Sequence, residues 1–220
     1  SLKEQNNWQI WLIISVNALF LYTVVKSNVI EVSGLQAMFT DSSNLLPVGL
    51  AIIVSTVMNG LLSADTKARF VFLRWHNPLP GSRAFSVHAI ADPRIDLDTL
   101  KKIHGSEFPI EPAEQNRVWY QFYKTLGNNP AVLQVHRNFL LLRDYTGLSV
   151  LFILIFGSVG FYAITSFKTS ACYLLLLIIQ FFVVRQAAAN YGVRLVTTVL
   201  AQKSPEKKKV KSRAGTNLDR

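Results

Sequence analysis

The run WQIWLIISVNALFLYTVV, residues 8–25, carries no charge over 18 residues. At 1.5 Å of rise per residue it comes close to crossing the roughly 30 Å of a bilayer's hydrocarbon. Asn17 is the strongly polar residue in its interior, and Trp8, Trp11 and Tyr22 near its ends suit an interfacial aromatic belt. The run is longer than the apolar region of a signal peptide and no A-x-A-like site follows it. It is therefore expected to be a span rather than a cleaved leader.

Three further runs follow. Residues 45–62, LLPVGLAIIVSTVMNGLL, hold Pro47 in the first turn, where proline is tolerated, with Ser43 or Asn44 available as cap. Residues 147–167 form the third run. The fourth, 171–184, is short and carries Gln180; Lys168 and Arg185 can snorkel to water at its ends, and QAAANYGV continues a helical pattern. It reads as a span, with a re-entrant or buried helix as the alternative. Four such runs in 220 residues exceed what a soluble fold buries. The expected fold is an α-helical integral membrane protein with four transmembrane helices and a mainly helical insert between helices two and three.

Charge has the complementary distribution. Half the chain is hydrophobic and only 16% is charged, yet the net charge is +10. Between the first two runs there is no Lys or Arg, only Glu31 and Asp41; residues 63–145 carry 11 Lys and Arg and the segment from Arg185 onward carries nine. The positive-inside rule then puts the insert and both termini in the cytoplasm, with small outer loops. The organisation expected is 1–62 for spans one and two, 63–145 for the insert, 146–185 for spans three and four, and 186–220 for a helical extension and a basic disordered tail.

Within the insert, the second helix is expected to run on to Trp75, where HNPLPG breaks it. Phe85, Val87 and Ala89 alternate with polar neighbours, a strand pattern. DLDTLKKIHG reads as a short helix capped by Asp96 or Asp98 and ended by Gly105. EPAEQNRVWYQFYKTLG is a clearer helix opened by Pro112, with Val118, Phe122 and Leu126 on its apolar face beside Trp119 and Tyr123. Asn129 caps the next, opened by Pro130, with Val132, Val135, Phe139 and Leu142 at helical spacing and continuity into span three expected. About 83 residues hold only a modest core, so the insert is expected to lean on neighbouring subunits or the membrane surface.

Catalytic and cofactor chemistry finds no pattern. His76, His88, His104 and His136 are scattered without zinc-ligand spacing, and Cys172 is alone. DPRIDLD lacks the glycine and distal Glu of a calcium loop. Phosphate-loop, dinucleotide and nucleophile-elbow motifs are missing. The expectation is a non-enzymatic chain with no catalytic residue, metal or cofactor. The tail KSPEKKKVKSRAGTNLDR suits contact with anionic lipid rather than sequence-specific nucleic acid recognition. Polar groups inside the spans are costly and are the intramembrane candidates: Asn17, Asn59 and Gln180. Arg74, Trp75, His76, Trp119 and Tyr120 are the hinge and interface candidates, because a message between membrane and insert has to pass residues 74–81.

KARFVFLRWHNPLPGSRAF and EQNRVWYQFYK, on this layout, resemble the membrane subunit of Kiwa-type anti-phage defence systems. That resemblance implies a bacterial inner-membrane homo-oligomer that senses phage-related stress and recruits a cytoplasmic DNA-binding effector. The functional expectation is an oligomeric scaffold or sensor coupling the bilayer to a cytoplasmic partner protein; a pore-forming effector is the alternative.

Overall fold

The computed structural model describes residues 4–26 and 45–204, and every element among them is helical. The caps expected at Ser43 and Asn44, the link 27–44, Lys3 and the basic tail from residue 205 lie outside the described residues. Helices α1 (Asn7–Val25) and α2 (Leu45–Leu61) take up the first two apolar runs. Without water to bond the backbone, a helix is the one way such a run satisfies its own N–H and C=O groups. The hydroxyls follow the same logic: Thr23 and Thr56 each donate to the carbonyl four residues back, on Leu19 and Ile52.

Helix α2 does not continue to Trp75. The chain turns by 99° between Leu61 and Ala64 and starts a new helix, α3 (Ala64–Phe72). Ser63 is extended and its Oγ accepts from the Thr66 N–H at 3.1 Å. A serine followed by an acid in the first turn, here Asp65, is a helix start. The same side chain competes with continuing the preceding helix. Leu73 at φ +49° ends α3, and Asn77 at φ +47° turns the loop that follows.

The expected strand is also absent. Residues 80–91 wind as a 3₁₀ turn (Pro80–Arg83), a π turn (Ala84–His88) and an α turn (Ala89–Ala91). Phe85, His88 and Ala89 are buried and Val87 is exposed, which is a helical spacing rather than a period of two. The alternation spanned too few residues to separate the two periods. Buried Gln115 reinforces the winding: its Oε1 accepts from the Phe85 and Ser86 N–H groups and the Ser86 hydroxyl.

The remaining helices match their signals. Asp96 caps α4 (Leu97–His104) through the Asp98 and Thr99 N–H groups, and Gly105 at φ +83° closes it. Pro112 opens α5 (Pro112–Thr125). Asn129 caps α6 (Pro130–Ala163), which runs without a break from the insert into the third apolar run, through a π turn at Phe152–Phe156. Ser166 caps α7 (Phe167–Lys203), 37 residues that absorb the fourth run and its extension. By length and composition, α1, α6 and α7 can each cross a membrane, and the bent α2–α3 pair makes a fourth if counted as one span. Leu12, Leu19, Ile53, Val57, Leu176 and Val183 stand exposed on their outer faces. Soluble monomers rarely expose such apolar surface; the arrangement is compatible with a multi-pass membrane protein.

Two cores follow. One joins Ile14, Leu21, Ala51, Leu148, Phe156 and Leu177 of the apolar helices. The other joins Phe85, Leu100, Val118, Phe122, Val132 and Phe139 of the insert to Leu195, Val196, Val199 and Leu200 of α7. The insert thus completes its core on the far end of α7, within its own chain. Gly192 makes the approach possible: a Cβ there would meet Phe72 Cζ at 2.6 Å and Phe139 Cε2 at 3.0 Å. Gly192→Leu should destabilise the fold by about 1–3 kcal/mol through overpacking. Gly49→Ala, with nothing within 4 Å of its Cβ, should not. Thermal unfolding of the purified protein in detergent compares the two.

Candidate functional site at the junction of the two halves

Where the insert meets the apolar helices, a buried ion cluster ties α3 to α6. Lys67 is 3% exposed and Asp144 4% exposed. Lys67 Nζ lies 3.4 Å from Asp144 Oδ1, and the same oxygen accepts from Arg143 Nη2 at 3.0 Å and Nε at 3.2 Å. The alkyl chain of Lys67 runs over Gly147, where an added Cβ would come 3.2 Å from Lys67 Cγ. Coulomb attraction in a buried site offsets desolvation only when geometry and hydrogen bonds are good.

A second clasp brings the start of α1 to the same level. Asn6 Nδ2 donates to the Arg137 carbonyl at 2.9 Å, and Arg137 Nε donates to Asn6 Oδ1 at 3.0 Å. At the far end, Ser204 Oγ accepts from the Asp96 N–H at 2.7 Å. Both described ends of the chain are therefore held by the insert.

Beside the ion cluster, the 75–82 loop lies against α5 and forms two adjoining depressions that share Leu79 and Asn116. Asp65, Arg69, Trp75 and His76 line the first, of about 400 Å³. Trp119, Tyr120, Tyr123, His136 and Arg143 line the second. Gly81 permits this approach, since a Cβ there would run into Asn116 Oδ1 and Trp119 Cε3. Arg69 Nε, Asn116 Oδ1 and Trp119 Nε1 are buried without a hydrogen-bond partner among the described residues. Each such atom carries a desolvation cost of about 1–3 kcal/mol. Burial, and then Tyr120, push the Tyr123 hydroxyl above its ordinary pKa, so it stays protonated 2.8 Å from His136 Nδ1.

Four of the five hinge candidates therefore gather here: Trp75 and His76 on the first depression, Trp119 and Tyr120 on the second. Trp75 is 76% exposed and does not pack on Trp119, whereas Phe72 does join the insert core. Arg74 lines neither depression; its charge acts on Arg83 and His88. The intramembrane candidates do not assemble through hydrogen bonds. Asn17 Nδ2 donates to the Ile13 carbonyl in its own helix at 2.9 Å, Gln180 Nε2 donates to the Tyr145 hydroxyl across α6 and α7 at 2.7 Å, and Asn59 Oδ1 is buried without a partner among the described residues. No three His, Cys, Asp or Glu side chains converge as a metal site among the described residues.

Sequence reasoning missed Lys67 and Asp144, reading Lys67 as a topology charge only. The available signal was Asp144 itself: it is the sole acid between Glu114 and Glu206, at the edge of an apolar run, next to Arg143.

No protein-family model, curated protein or solved structure matches this chain.

Asp144→Leu leaves Lys67 and Arg143 buried without their carboxylate and should cost about 3–5 kcal/mol. The double variant Lys67→Met/Asp144→Leu should recover part of that loss, because Lys67 is no longer buried against a missing carboxylate while Arg143 still lacks it. Thermal unfolding of the three proteins in the same detergent decides it.

Proposed function

We propose that this chain is a non-enzymatic, homo-oligomeric membrane scaffold or sensor that couples a bacterial inner membrane to a cytoplasmic partner protein through its helical insert. The observation that carries the proposal is the continuity of α6 and α7: each runs unbroken from the apolar half into the insert. A tilt or rotation of either span moves the insert, because Val132, Phe139, Leu195 and Val199 of these helices are part of its core. The Lys67–Asp144–Arg143 cluster adds a polar lock at the boundary with specific geometry. The pairing of Gln180 with Tyr145 supports a holding role for polar groups between the spans over a pore-lining one.

Orientation belongs to the proposal as well. Both described chain ends bond to the insert, and Lys and Arg concentrate in the insert and the C-terminal segment. This supports cytoplasmic termini, four crossings and contact of the basic tail with anionic lipid. The resemblance to the Kiwa-type membrane subunit adds anti-phage defence as the setting.

Trp75 and Tyr120, exposed at 76% and 47%, offer the partner aromatic anchors. Cross-linking in intact cells that express the full chain with its neighbouring genes should join the insert to one cytoplasmic protein in fixed ratio. Trp75→Ala/Tyr120→Ala should abolish that adduct, and Trp75→Ala alone should weaken it while leaving the melting temperature unchanged. Adducts of the chain with itself alone would overturn the proposal.

A further inference from the structure

On a different face from the junction depressions, a hollow of about 550 Å³ separates the 88–94 stretch from the outer part of α7. His88, Asp92, Arg94, Asn190, Arg194 and Thr197 line it. His88 is 8% exposed, and its Nε2 is buried without a partner among the described residues. Burial first, then the charges of Arg83 and Arg74, bring its pKa down to about 4. Arg83 is itself pushed down by burial and by Arg74, and its Nε is buried and unpartnered among the described residues.

The charge balance around this hollow is one-sided. Asp92 is the one carboxylate on its lining, and Arg94 already holds it, with Nη2 at 2.6 Å from Oδ2 and Nε at 2.9 Å from Oδ1. That contact pulls Asp92 down to about 2 and keeps it ionised. Among the described residues, no hydrogen bond or ion pair engages the Arg194 guanidinium. A buried imidazole and two guanidiniums thus line a space with room for a small ligand, and the charges of Arg83 and Arg74 also act on that imidazole. A group that repays this desolvation and repulsion carries several acceptor oxygens and negative charge.

We propose that the hollow binds a phosphate-bearing anion, with Arg194 and Arg94 taking its oxygens beside the buried His88 imidazole. Such a ligand bridges the 88–94 stretch to α7, and so bears on the junction without being the protein partner. A soluble phosphorylated compound and an anionic lipid headgroup share this chemistry. Arg194 lies nine residues beyond Arg185, about 14 Å along the helix at 1.5 Å per residue.

The test uses the full chain in nanodiscs of zwitterionic lipid, titrated with inorganic pyrophosphate or sulfate at constant ionic strength. Binding is followed by calorimetry and by melting temperature. A second arm replaces the added anion with phosphatidylglycerol in the disc. Saturable binding of the soluble anion, or a melting shift confined to the anionic disc, identifies the source. In either arm Arg194→Ala should weaken the effect roughly tenfold or more, as loss of a charge-assisted contact does. Arg117→Ala, an exposed residue on α5, should leave it unchanged.

The sign of the pH dependence is fixed. His88 is held neutral in the free protein by burial and then by Arg83 and Arg74, while Arg94, Arg194 and the ionised Asp92 line the same hollow. A bound anion favours the imidazolium, so sulfate, whose charge is constant over this range, should bind more tightly as pH falls from about 7 to about 5. His88→Leu should remove that dependence. No binding in either arm at about 10 mM anion, or an effect that survives Arg194→Ala, would overturn the proposal.

Discussion

Helices α6 and α7 lie side by side, and α1, α2, α3 and α5 each pack on one or both of them. Each is longer than a bilayer is thick, so the pair has an apolar part and a water-facing part within one hydrogen-bonded rod. The apolar part gathers α1 and α2; the other part gathers α3, α4, α5 and the 80–91 stretch. An insert of this size carries only a modest core. Leu195, Val196, Val199 and Leu200 enlarge it, so its fold depends on α7 being continuous.

The boundary between the two parts is where physical demands conflict. Lys67 and Asp144 are almost fully buried there, a placement that burial energy alone disfavours. Such a pair acts through specificity: only one rotation of α3 against α6 brings Nζ to the carboxylate while laying the lysine chain over Gly147. The 99° bend at Ser63 and the left-handed Leu73 bound α3 at its two ends. The neighbouring depressions concentrate unpartnered polar atoms around Asn116, at the place where a displaced loop would change what they meet.

Much of this was legible beforehand, element by element. The apolar runs located α1, α2 and the inner parts of α6 and α7, because length and freedom from charge are read directly from the residues. Asp96, Asn129, Gly105 and the prolines opening α5 and α6 marked helix ends through short-range chemistry, and those ends stand where expected. Ser63 was misread because the capping role of a serine and its tolerance inside a helix look alike until the chain turns. Phe85, Val87 and Ala89 were misread because five residues fit either period, and it is Gln115, about 30 positions away, that accepts from the Phe85 and Ser86 N–H groups. The hinge candidates were found one by one, but that four of them share Leu79 and Asn116 was not written in their spacing.

The sequence by itself determined that this chain is mainly helical, that three or four of its helices suit a membrane, and that positive charge lies outside their apolar stretches. These are consequences of local composition, of hydrophobic length and of backbone hydrogen bonding. Tertiary structure alone decided that the end of α7 completes the insert, that Asp144 receives Lys67 from 77 positions away, and that buried His88 shares a hollow with Asn190, Arg194 and Thr197 of α7. Each is a contact between segments remote in sequence. Close packing and the desolvation of charge fix such contacts only after the helices have docked.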